Sequence, residues 1–229
     1  MFLLLVLLLA GYLAYLYIRR QQRQQKLQEV IERRRRERDE SLELARKSAA
    51  LLDPELRAKI EALSFQQLRG KLQSGEVSCI DALRTYQWKG IKAHEQTNCA
   101  TMFIKEAEQW AIEWDNKAKT PGFVKPAFFG VPISLKECTP LAGYDQTRGF
   151  VQDVGNVTKI DSVLVQQIKL LGMVPFVQTN VPQSLLNYSC SNPVYGTTNN
   201  PLDKDRTPGG SSGGESAIIG AGGSIIGRS

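Results

Sequence analysis

The chain opens on an unbroken apolar run. Residues 2–18 are 17 positions without a charge. As a helix the run is about 25 Å long at ~1.5 Å per residue. That is short of a ~30 Å hydrocarbon core and close to the ~27 Å of a thinner endomembrane. Tyr12, Tyr15 and Tyr17 fall toward its C-terminal end, where amphipathic rings favour an interface. The pattern predicts a single transmembrane signal-anchor over residues 1–18. A cleaved signal peptide is the rival reading, but it wants a basic leader and a small-x-small cleavage site. Here the charge comes afterwards, from Arg19-Arg20, which places the following region on the cytosolic side of an endoplasmic-reticulum-like membrane. On that orientation the sequons at Asn156 and Asn187 stay unmodified.

Residues 19–48 are the next segment, rich in Gln, Glu and Arg, with Arg33, Arg34, Arg35 and Arg36 in a block. Leu27, Val30 and Ile31 supply only a fragment of an apolar face. The expectation is a solvated basic juxtamembrane helix, with attraction to anionic headgroups as the sharper version.

From residue 49 to 120 the apolar positions recur at helical spacing. Asp53-Pro54 reads as an N-cap and first helical residue, followed by Leu56, Ile60 and Leu63. Ser64 with Gln67 forms a capping box, Gly75 a stop, and Ser78 with Asp81 a further start. Ile104, Ala107, Trp110, Ala111 and Trp114 make an amphipathic stripe whose tryptophans belong to a core. One segment, residues 99–103, reads as a strand. From residue 121 to 229 the texture changes. Residues 128–135 are strand-like, 162–171 helical, and 173–177 a buried strand, a succession that implies α/β architecture. A Gly/Ser-rich stretch, residues 207–215, runs straight into Ala217, Ile218 and Ile219. That reads as a tight loop entering a buried helix, where a linker would have run into polar sequence.

Charge changes this picture little. The net charge of +6 is concentrated between Arg19 and Lys47, which holds 11 basic and 6 acidic residues; the remainder holds 18 and 17. The body therefore calls for no nucleic acid. Four scattered cysteines and a lone His94 assemble neither a zinc site nor a disulfide framework, so no metal or cofactor is implied. The Gly-rich loop lacks the Gly-Lys-Ser/Thr of a phosphate-binding loop. Gly209-Gly210-Ser211-Ser212-Gly213 does match the G-x-S-x-G of a nucleophile elbow, but that arrangement needs a later histidine and none follows.

A serine can instead be activated by an uncharged lysine. In Gly130-Val131-Pro132-Ile133-Ser134-Leu135-Lys136-Glu137 the strand period puts Ser134 and Lys136 on one face and the aliphatic residues on the other. Burial at the end of an apolar strand disfavours the ammonium form, as a general base requires. A solvated lysine at a strand end is the plain alternative.

These two motifs, the lysine strand and Pro208-Gly209-Gly210-Ser211-Ser212-Gly213-Gly214-Glu215, resemble the amidase signature family in order and spacing. Residues 176–184 and 190–196 add to the likeness, which runs from about residue 60 to Gly227. The resemblance implies a mixed central sheet flanked by helices, of which only the N-terminal part is present. It implies a Ser–Ser–Lys triad, with Lys136 as the base and Ser211 as the bridging serine behind a cis Gly210–Ser211 bond. Ser212, Gly209 and Gly210 are supporting residues, and Leu185 and Leu186 fall where an acyl channel begins to be lined. With the anchor, the implied substrate is a lipid amide, cleaved through an acyl-enzyme; a homodimer is compatible with this. In the family the serine loop continues into a Gly-Gly-Ser whose serine is the nucleophile. Arg228-Ser229 breaks that pattern, so Ser229 is not that serine, and the expectation is a chain stopped before its nucleophile and inactive alone. The alternatives are a catalytically inactive membrane-bound interaction module and, more distantly, a soluble amidotransferase-type subunit.

Overall fold

The computed structural model describes residues 2–228. Met1 and Ser229, and with it the expectation about Ser229, lie outside the described residues. Helix α1 runs without a break over Phe2–Ala50, about 74 Å at ~1.5 Å per residue. By length and composition it is able to cross a membrane, and its apolar part packs against nothing in the chain. Its second half departs from the expected solvated helix. Ile31, Arg34, Ser41, Ala45 and Ala49 are buried against the body. The sequence hid this because, Ile31 apart, the burying face is built of small and charged residues whose partners are far away in the chain.

Three helical segments are bounded where their punctuation places them. Asp53 caps α2 (Pro54–Glu61) through Oδ1, which accepts from the N–H groups of Glu55 and Leu56. Ser64 and Gln67 form the capping box of α3 (Phe65–Ser74), which closes on Gly75 at φ +86°. Ser78 caps α4 (Cys79–Thr97), whose buried positions include Ala82, Leu83, Tyr86, Gly90 and Ile91. After strand β1 (Ala100–Phe103), α5 (Ala107–Ala118) carries Trp110 and Trp114 half-buried at the edge of the core.

The lysine strand, β2, spans Pro132–Lys136. It is shorter than its apolar run. Residues 128–130 form a turn closed by the Val131 N–H on the Phe128 carbonyl, 3.1 Å. Gly130 holds φ +73° there, and a Cβ on it would lie 2.4 Å from Cys79 Sγ. A crossover containing α6 (Val163–Leu170) leads to β3 (Val174–Thr179). A small hairpin pairs β4 (Ser191–Asn192) with β5 (Gly196–Thr197), and α7 (Gly213–Gly220) precedes β6 (Gly227–Arg228). The main sheet has the order β1-β3-β2-β6. β2 runs parallel to both β3 and β6, and β1 is antiparallel to β3, so the sheet is mixed. All five residues of β2 and all six of β3 are buried, as central parallel strands covered on both faces should be.

Candidate active site

The C-terminal ends of β2 and β3 lie side by side, with Lys136 opposite Thr179. The crevice beyond the carboxyl ends of parallel strands is where open α/β sheets collect their chemistry. The Gly/Ser-rich loop closes on this point. The Gly214 N–H donates to the Asn180 carbonyl at 2.9 Å, pinning the first turn of α7 to the residue after β3. A Cβ on Gly214 would lie 2.2 Å from the Asn180 nitrogen, so only glycine permits the approach. The loop is thus a packed element.

That docking brings the two motifs together. Lys136 is buried, and its Nζ donates to Ser211 Oγ at 2.8 Å and to Ser212 Oγ at 2.9 Å. The Gly210–Ser211 peptide is cis. Gly210 itself lies against the backbone of Asn187 and Tyr188, and Gly209 has φ +89°. Ser212 occupies the N-cap position of α7 without capping it, which leaves its hydroxyl free for the lysine. Leu185 stands apart from this cluster. It is half-buried on the 3-10 turn Gln183–Leu185 and holds φ +62°. Leu186 is 88% exposed.

Two buried carboxyls flank the lysine, and the sequence reading assigned neither. Glu215 accepts from Ser134 Oγ at 2.8 Å and from Thr179 Oγ1 at 2.6 Å. Burial pushes its carboxyl up to about 7, against the opposing pull of those two hydroxyls and of Lys136. Glu137, next in chain to the lysine, accepts from the Thr147 N–H (2.5 Å), the Thr147 hydroxyl (2.7 Å) and the Arg148 N–H (3.1 Å). Burial raises it too, with these donors acting in the opposite sense. A signal for Glu215 did exist: an acidic residue directly after a glycine pair, in the first turn of an apolar helix. Glu137 gave none, because its partners sit in an irregular loop ten residues on. Among the described residues no group of His, Cys, Asp and Glu is placed to hold a metal ion, and all four cysteines are free thiols.

The site is thus a buried lysine bonded to two loop serines, one of them behind a cis peptide. The amidase family model matches residues 81–228, well over half of the chain. The chain belongs to the amidase signature family. Within the family it is similar to fatty acid amide hydrolase 1 of Caenorhabditis elegans, at 57% identity over 195 residues, covering 85% of this chain and 34% of the relative. Fatty-acid amide hydrolase 1 of Sus scrofa is 41% identical over 189 residues, covering 82% and 31%. Among solved structures, a fatty acid amide hydrolase superposes with a TM-score of 0.78 at 30% identity, over 87% of this chain and 39% of the other. The chain therefore spans about a third of the length of the curated relatives it matches.

Proposed function

We propose that residues 2–228 form the membrane-anchored front portion of a serine hydrolase that cleaves fatty acid amides. In this reading the chain carries the base and the relay of the reaction. Lys136 takes up the proton of Ser211, and Ser211 in turn draws the proton of an attacking serine supplied by the full-length protein. The acyl group passes to that serine as the C–N bond breaks, and the proton returns along the same path to the departing amine. Water, deprotonated through the same relay, then cleaves the acyl-serine ester to the fatty acid and returns the proton to the serine. Ser212, the second hydroxyl on Lys136 Nζ, fixes the amine's direction. Leu185 belongs to the start of the acyl channel. The apolar stretch of α1 holds the body at a cytosol-facing endomembrane, where lipid amides are concentrated.

The observation that carries this reading is the 2.8 Å contact between Lys136 Nζ and Ser211 Oγ in a buried site. The likeness to two fatty acid amide hydrolases supports the choice of substrate. The test uses a fluorophosphonate probe on the full-length protein. Lys136→Ala is expected to slow labelling at neutral pH by at least ~100-fold, the scale of a lost general base. Labelling of that variant at the wild-type rate would remove the lysine from the mechanism.

A further inference from the structure

The arginine block of α1 faces the body as well as solvent. Arg34 is buried and pairs through Nη2 with Asp145, which is buried as well. Asp145 also accepts the Gly155 N–H at 2.6 Å and bridges to Val157. It thereby closes the base of the 145–155 loop, which carries Thr147 and Arg148, the donors that hold Glu137 directly beside Lys136. Two neighbouring arginines reach the other side of the site. Arg35 Nε donates to the Val194 carbonyl at 2.8 Å. Arg38 Nη1 donates to Asn98 Oδ1 at 3.2 Å, and Asn98 Nδ2 donates to the Tyr195 and Thr197 carbonyls. That hairpin holds Asn180, whose carbonyl receives Gly214 of the serine loop.

We infer that Arg34 is a positioning residue of the proposed Lys136–Ser211 pair. Through Asp145 it locks the 145–155 loop, that loop locks Glu137, and Glu137 fixes the strand end that presents the lysine amine. The anchor helix is thus one wall of the catalytic framework in addition to a tether. The inference rests on the amidase reading of the site. It adds to that reading a residue 102 positions upstream of the lysine, in a segment whose charge the sequence assigned to solvent and lipid.

The full-length protein is titrated with a fluorophosphonate probe, reading the maximal labelling rate and the half-saturating concentration separately, alongside melting temperature. Arg34→Gln is expected to lower the maximal rate by about tenfold or more with the half-saturating concentration unchanged, the scale of losing an outer support or misplacing a reacting group. Asp145→Asn, which keeps an oxygen for the Gly155 N–H and removes only the charge that Arg34 meets, is expected to lower the maximal rate to a similar extent. Arg36→Gln, an exposed neighbour, leaves both readings at wild type. If Arg34→Gln proves too unstable to assay, the neutral pair Arg34→Gln with Asp145→Asn replaces it. That pair removes both charges together and strands neither. A lowered melting temperature with a wild-type maximal rate, in whichever variant folds, overturns the inference and leaves the ion pair a purely structural contact. Lys136→Ala run in parallel separates the two ideas: wild-type labelling there defeats the amidase reading itself, whatever Arg34 does.

Discussion

Replacing Glu215 with glutamine should change how the protein's stability responds to pH, and the size of the change follows from the burial of one carboxyl. Glu215 is 2% exposed, with its two oxygens on Ser134 and Thr179. Its carboxyl sits at about 7 against an ordinary 4.5. Between those pH values the unfolded chain has released the proton and the folded chain has kept it. Unfolding then releases a proton, so this group's contribution to stability falls as pH rises through the window and is constant above it. At ~1.4 kcal/mol per tenfold change in proton affinity, ionising Glu215 in place costs the fold about 3 kcal/mol. Glutamine has no such penalty and keeps the side chain's size. The assay is urea unfolding followed by tryptophan fluorescence, for wild type and Glu215→Gln, at pH values from 4.5 to above 7. The variant should gain about 3 kcal/mol relative to wild type across the range. At the acid end the folded carboxyl is neutral and the unfolded one only half ionised, so the difference there reports mainly altered hydrogen bonding. A wild-type-minus-variant difference that stays flat over the whole window would show that Glu215 is not the proton-binding group.

Three further outcomes are expected. His94 is the only histidine, and burial, aided by Arg38, pushes it down to about 4; its Nδ1 accepts the Ala100 N–H at 3.0 Å. Its single imidazole resonance should therefore stay in the neutral position to near pH 4, and the stability it contributes above 6.5 should drain away as pH falls through that interval, a sense opposite to that of Glu215. Gly214→Ala should lower stability by ~3 kcal/mol or more, because its methyl would meet the Asn180 backbone at 2.2 Å. Gly70→Ala, in the exposed interior of α3 with open space around it, should raise stability by ~0.5–1 kcal/mol; a Gly214→Ala melting curve that stays at or rises above wild type would contradict the packing described for the serine loop.

Much of the local structure was legible because it is enforced by neighbours in the chain. The caps at Asp53, Ser64, Ser78 and Ser162 are satisfied within three residues, and the strands at 132–136 and 174–179 are short apolar runs between turns. The lysine and serine motifs were legible through a family resemblance, and spacing alone could not have joined positions 75 residues apart. The sheet order was not legible: β6 is two residues long, and its place beside β2 depends on contacts over 90 residues away. The inner face of α1 was hidden for the same reason. An arginine facing water and one facing a buried aspartate 111 positions later look alike in sequence.

The absence of any break in α1 makes the helix a screw. Its apolar stretch, its free middle and its packed end share one axis, so a rotation imposed at either extremity is delivered to the other. Each residue inserted between positions 19 and 30 would swing the body ~100° about that axis and advance it 1.5 Å, whereas a seven-residue insertion would bring it back to within ~20° of the original bearing. The azimuth at which the serine loop looks out is consequently written into the length of a largely exposed segment.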